Sequence, residues 1–385
     1  MGNRGTYNKL PARGFDLCQT LSVDHGGKAM DFGIALATSA DSWKVVERAE
    51  NLGFTNAWFY DTQMLSADCF VAMGAAAVKT NRIRLGTGVL IPSNRIAPVA
   101  ANALASLNQL APGRIDFGIG TGFTGRRAMG LSALKLSEME EYIRVVMAML
   151  ANETVEAHLD GRKRKIRFLN PGAGLINTID PVSLHVSAYG PRGRAIAAKL
   201  GAAWILFFND VADGIQGLEG MRQSWARAGR AISDLRSTAF VLGCVLEHGE
   251  PADSERAMAQ AGPRAAVLLH RCADEALTGL PNSSPVPDSV ADVVAGYVEM
   301  AREFEPKDAP WLENHRGHLM FLKDSERRFV NAELIRQTTF TGTQEDIKGR
   351  IEALRDAGYG QFTVQLTPGS EAAVEDWAKI KRAFN

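Results

Sequence analysis

The sequence predicts an α/β protein built as a TIM-type (β/α)8 barrel, and three observations carry that prediction. Short apolar runs rich in β-branched and aromatic residues alternate with helical patterns, the signature of successive βα units on a parallel sheet. Eight such runs can be counted, and eight units favour closure over an open doubly wound sheet. The 385 residues are 46% apolar, enough for a large core, and barrels of this class extend well past about 250 residues as one domain.

Residues 1–29 are polar and glycine-rich, lack the apolar h-region of a secretory signal, and form an expected N-terminal arm, so the chain reads as cytoplasmic. A single barrel is expected over 30–385. Its strand runs are DFGIAL (31–36), FTNAWFY (54–60), IRLGTGVL (83–90), RIDFGI (114–119), VSLHVSA (182–188), AAWILFF (202–208), STAFVLGCVLE (237–247) and QFTVQL (361–366). Helices are expected over 41–52, 97–110, 136–151, 191–200 and 343–357, the last opened by Thr343-x-x-Asp346 and stopped at Gly358. Two excursions break the repeat: 153–181, with the basic GRKRKIRFLN and a hairpin-like or irregular remainder, and 277–340, with PNSSPVP and WLENHRGHLMF. Segments this long in compact domains serve as walls or lids, or are disordered.

Lys plus Arg and Asp plus Glu both number 43, so no net field favours nucleic acid or an anionic membrane. No apolar run is long enough for a membrane span. Cys18, Cys69, Cys244 and Cys272 lie far apart without metal-ligand spacing, and four reduced thiols are expected.

The stretch GIGTGFTG (118–125) carries Gly120-x-Gly122-x-x-Gly125, the spacing of a dinucleotide fingerprint. Its context does not fit one: three βα units precede it, and no acidic residue ends the next strand. Independent NADH binding is therefore not expected. The glycines read instead as the fourth strand leaving the C-terminal mouth, where barrels carry their chemistry and where glycine lets backbone approach a flat ligand.

The stretches 49–61, 83–122, 186–205 and 341–365 resemble the luciferase-like flavin-dependent oxidoreductases, including the methylenetetrahydromethanopterin reductase branch. The resemblance implies a cofactor at the mouth: reduced FMN delivered by a separate flavin reductase, or alternatively coenzyme F-420. It implies that Gly88-Val89 forms a bulge, often with a cis peptide, behind the ring, although Gly88 also fits a simple bulge glycine. Thr121 and Gly122 would hold the ring or its ribityl chain. Tyr189, Gly190, Pro191 and Arg192 would hold the phosphate at a helix N-terminus, where unpaired N–H groups and the dipole favour anions. The implied activity is monooxygenation of a small, flat or aromatic substrate, with F-420-dependent hydride transfer as the alternative and flavin binding without turnover as a third reading. A homodimer or tetramer is expected.

Relatives commonly end the second strand in Asp-His; this chain has Asp61-Thr62-Gln63. Asp61, with Thr62 beside it, positions the ring or a water, or else caps the strand end. The absent imidazole directs attention to His315 and His318, three apart, which on a helix would share a face. They are either surface residues or lid residues that supply the missing proton transfer. No metal site is expected. His185, inside a strand run, reads as a core or ring-contacting residue.

Overall fold

The computed structural model describes residues 30–281 and 285–384; the arm, Cys18 and part of PNSSPVP lie outside the described residues. Along the chain, β1 (Asp31–Leu36), β2 (Asn56–Phe59), β3 (Arg84–Thr87) and β4 (Ile115–Ile119) alternate with α1 (Ser42–Asn51), α2 (Cys69–Lys79) and α3 (Ala97–Leu110). A short α4 (Phe123–Arg127) and α5 (Leu136–Leu150) precede an antiparallel hairpin, β5 (Val155–Leu159) and β6 (Arg162–Ile166). The repeat resumes with β7 (Ser183–Ser187), α6 (Pro191–Leu200), β8 (Ala203–Phe207), α7 (Val211–Arg227) and β9 (Ser237–Val241). Beyond the two-residue β10 (Val245–Leu246) lie α8 (Glu255–Thr278), α9 (Ala291–Ala301), α10 (Trp311–Asn314), α11 (Asp324–Arg327) and α12 (Ala332–Thr338). Finally come β11 (Gly342–Thr343), α13 (Gln344–Ala357), β12 (Gln361–Leu366) and α14 (Val374–Arg382).

The eight strands of the expected barrel pair in parallel, and β1 meets both β2 and β12 to close it. One expected strand differs: the run 237–247 divides after Val241. The incoming segment at 340–342 takes over its backbone partners, with Phe340 N donating to Leu242 O at 2.8 Å and Gly342 N to Cys244 O at 3.2 Å. A Cβ at Gly243 would stand 2.3 Å from the Phe340 backbone, so the crossing needs glycine there. No helix among the described residues is long and apolar enough to cross a membrane.

Three apolar clusters organise the packing. The largest fills the space between strands and outer helices, with Ile34, Phe117 and Val364 on strands and Leu104, Val146 and Ile351 on helices. A smaller one fills the barrel interior around Trp58, Tyr60, Ile205 and Phe240. The third joins the excursion to α8 before it, where Leu269 of α8, Tyr297 of α9 and Leu334 of α12 pack together, so the insertion reaches back beyond its expected start at residue 277. The excursion thus has its own core, which makes it a built cap.

Near the N-terminal ends of the strands the barrel has a charged floor. Asp116 of β4 accepts from Arg84 Nε at 3.0 Å, and His185 Nε2 lies 3.5 Å from the same carboxylate. Burial opposes ionisation, yet Arg84 and His185 hold Asp116 below the usual carboxylate range. His185 also meets the Trp58 ring edge-on, so it is a core residue remote from the mouth.

The cap is keyed to the rim by a proline. Pro263 inside α8 has no N–H to give to Ala259 O four residues earlier, and Thr367 Oγ1, just past β12, donates to that carbonyl at 3.0 Å.

Candidate active site

The C-terminal strand ends and the cap enclose a cavity of about 1220 Å³. Its floor is shaped by the exit of β3. Register with β4 ends at Gly86; the chain then passes a cis peptide between Gly88 and Val89, and pairing resumes where Leu90 N donates to Gly118 O at 2.8 Å. The glycines of 118–125 answer to this neighbour rather than to open space. A Cβ at Gly118 would stand 2.0 Å from Thr87 O, at Gly120 2.8 Å from Val89, and at Gly125 2.6 Å from Ile91. Close packing of two strand exits is a reason for the glycines in addition to the expected one, and Gly120, Gly122 and Gly125 present backbone to the cavity.

Gly88, Val89, Thr121, Gly122, Tyr189 and Gly190 all line the cavity. Gly190 caps the N-terminus of α6, and a Cβ there would meet nothing within 4 Å, so the first-turn N–H groups face room for an anion. Pro191 opens this helix with fixed φ and no N–H to waste. Arg192 is exposed and away from the cavity wall; Arg194 lines it instead, donating to Tyr189 O at 2.8 Å and leaving its buried Nε without a partner.

Asp61 and Thr62 also reach the wall, but their polar atoms are engaged. Asp61, 3% exposed, accepts from Arg95 at 2.8 Å and from Ile91 N at 3.0 Å. Its carboxylate fastens the β3 exit loop to the end of β2, an anchoring arrangement in place of the proton-handling one. Thr62 Oγ1 lies 2.7 Å from Ser66 Oγ in the turn that follows.

The two histidines depart from the shared helix face and from the surface reading, while His318 keeps a place on the cap wall of the cavity. They do not share a helix, because α10 ends at Asn314 and a left-handed Gly317 (φ 77°) turns the chain between them. Neither is a surface residue: each is 2% exposed, and their rings lie 5.0 Å apart. His315 Nε2 bonds Asp274 at 3.0 Å, and the residue borders a second, smaller pocket on the far side. His318 lines the main cavity.

His318 ends a buried chain. Glu326 Oε1 is 2.6 Å from His270 Nε2, and His270 Nδ1 is 2.7 Å from His318 Nδ1. Despite burial, His270 and Lys323 hold Glu326 ionised, with its carboxyl lowered to about 2. An ionised Glu326 requires His270 to carry its proton on Nε2, so His270 Nδ1 must accept and His318 Nδ1 must donate. The His318 Nε2 lone pair is then left over, and that atom is buried without a partner. Burial, reinforced by His270 and His315, drives His318 well below the ordinary imidazole value of 6.5. At neutral pH it is a base.

The cap adds cations. Arg127 of α4, on the barrel side, is paired with Asp274 of α8 at 2.8 Å. Arg264 and Arg271 of α8 both line the cavity, with Arg264 4.8 Å from the centre of the Phe207 ring and Arg271 4.7 Å from that of Phe123.

Sequence reading missed Arg264, His270, Arg271, Asp274 and Glu326. A signal existed: Arg264, Arg271 and Asp274, seven and three residues apart, fall on one helix face inside a run that is mostly apolar. Polar residues on a face so flanked are buried for a reason.

The chain matches the family model for luciferase-like monooxygenases over residues 25–361. It is 26% identical over 356 residues to the 5,10-methylenetetrahydromethanopterin reductase of Methanolobus tindarius, covering 90% of this chain and 98% of the relative. Over 140 residues it is 36% identical to an F-420-dependent glucose-6-phosphate dehydrogenase of Beutenbergia cavernae, covering 34% and 40% of the two chains. Its fold superposes on the coenzyme F-420-dependent tetrahydromethanopterin reductase of Methanopyrus kandleri with a TM-score of 0.66 at 19% identity, covering 93% and 100%. A closed parallel barrel with its cavity at the strand C-termini, and a family match spanning nearly the whole of it, place this chain in the luciferase-like family of oxidoreductases and monooxygenases.

Proposed function

We propose that the protein is an F-420-dependent oxidoreductase that interconverts a hydroxyl and a carbonyl on a small substrate. The observation that carries this reading is the Glu326–His270–His318 chain, which ends in a buried, unprotonated Nε2 on a residue of the cavity wall. Oxidising a hydroxyl requires a base for its proton, and His318 fills that role from the cap. The second strand, ending in Asp61-Thr62, provides no imidazole.

The residues present fit the cofactor. Gly190 and the α6 N-terminus offer an open anion cradle beside Arg194, whose Nε is unpartnered, while Gly88-Val89 and Thr121-Gly122 line the wall where a flat ring would lie. When bound, the deazaflavin supplies the hydride acceptor or donor. The chain handles the proton: His318 Nε2 takes it from the hydroxyl or returns it, His270 keeps accepting from His318 Nδ1, and Glu326 fixes the orientation of His270. Two relatives support the choice, one named an F-420-dependent dehydrogenase and the other a reductase matched along its whole length.

A second reading, monooxygenation with dioxygen and reduced FMN from a separate flavin reductase, is favoured by the family description and by the aromatic wall of Phe123, Phe207 and Phe240. Exposed Val71 and Val78 on α2 and Val99 on α3 support the expected homodimer or tetramer. Spectroscopic titration of the purified protein with F-420 and with FMN separates the readings. F-420 binding with weak or no FMN binding is expected; the reverse order overturns the first reading in favour of the second.

A further inference from the structure

At one point on the wall of the cavity, charge is present without its complement. Arg264 is 7% exposed, and among the described residues it has neither an ion pair nor a hydrogen bond; its Nε is buried and unsatisfied. Its guanidinium lies against the Phe207 ring, which restrains its plane but does not neutralise it. Burial, reinforced by the neighbouring Arg271, lowers the group to about 9, still protonated at neutral pH. Isolated buried charges are strongly disfavoured, and arginines elsewhere in this fold are matched: Arg84 with Asp116, Arg95 with Asp61, Arg127 with Asp274. Arg264 shares the wall with His318, Tyr60 and Phe240.

Resting on the hydride-transfer reading above, we infer that Arg264 is a substrate-binding residue and that the substrate is an organic acid whose carboxylate pairs with it while its hydroxyl or carbonyl faces His318. A carboxylate presents two coplanar acceptors to the guanidinium fork, which suits a side chain already held flat on an aromatic ring. Aromatic walls at Phe207 and Phe240 accommodate an apolar body between the two polar ends. The same anionic oxygens could belong to the cofactor instead, so the test must separate the two sources.

The probes are monocarboxylates from acetate through benzoate to phenylacetate, each beside its neutral amide, measured by calorimetry on cofactor-free and F-420-loaded protein. In wild type at least one acid is expected to bind more tightly than its amide, by about 10- to 100-fold, the range for a hydrogen-bonded charge. Arg264→Met should abolish that preference and leave F-420 affinity unchanged. Arg264→Lys, which keeps charge but not the fork, should retain part of it and serves if the methionine variant does not fold. The inference is overturned if no acid is preferred, if the preference survives both variants, or if Arg264→Met weakens F-420 tenfold, which would assign the guanidinium to the cofactor. Wild type that prefers acids but does not bind F-420 leaves the anion site standing and removes the hydride-transfer reading.

Discussion

The two ends of the barrel treat buried charge in opposite ways. At the floor, Asp116 is answered by Arg84 and His185, and Asn56 Nδ2 adds a contact at 3.3 Å. At the mouth, among the described residues, Arg264 has no counterion, and His318 Nε2 and Arg194 Nε have no partners. A chain that matches its carboxylate and cation at one end and leaves a cation unmatched on a cavity wall at the other points to that wall as the place where a ligand would complete the structure, although His185 Nδ1 at the floor is also buried without a partner among the described residues.

The largest expected effect comes from cutting the proton route at the mouth. His318→Ala should bind F-420 normally and lose turnover by about 100- to 10,000-fold, checked by single-turnover kinetics. The pH profile sharpens the point. Since burial lowers His318, its base form prevails at neutrality, and the hydroxyl-oxidising rate of wild type should fall only as pH drops well below 6.5. A limb at or above 6.5 would mean that another group is the base.

Next is the floor. Asp116→Ala strands Arg84 and His185 and should cost about 3 kcal/mol in urea unfolding, with cofactor affinity in the surviving folded fraction little changed. A loss of F-420 affinity without loss of stability would break the division between the two ends. At the phosphate cradle, Gly190→Asp sets a carboxylate in open space beside the α6 N-terminus and should abolish cofactor binding while circular dichroism stays native. The smallest effect has the opposite sign. Arg264→Met removes an unmatched buried cation and should raise the stability of cofactor-free protein by about 1 kcal/mol or more; a fall would mean that the guanidinium is already satisfied.

The same contrast explains what the sequence made legible. Strand runs and the limits of α3 and α6 follow from local periodicity and from the Pro and Gly signals at helix ends, and these are properties of contiguous residues. The Gly88-Val89 bulge, the α6 N-terminus and the Thr121-Gly122 exit were reached through the resemblance to a known family, because the local residues alone fit a simple bulge or a helix start equally well. The proton chain was not legible, because it joins residue 270 of α8 with 318 and 326 across loops whose path the sequence does not encode by period. His318 was noticed only as one of a helical pair, and the Gly317 turn that separates the pair is what brings its ring to the cavity wall. The floor was missed for the same reason: Asp116, Arg84 and His185 lie on three different strands.

Pro263 has a consequence for how the cap and barrel can vary. With its N–H absent, the Ala259 carbonyl is free to be read by Thr367, so one carbonyl fixes the rotational phase of α8 on the rim. His270 and Arg271 follow about three turns beyond Ala259, each turn of an α-helix taking about 3.6 residues. A slip of a single residue would swing every one of these side chains by roughly 100° and carry the guanidinium of Arg264 out of the cavity. Proline and threonine together therefore act as an index pin, allowing the rest of the helix to exchange one apolar residue for another while the chemistry stays aimed.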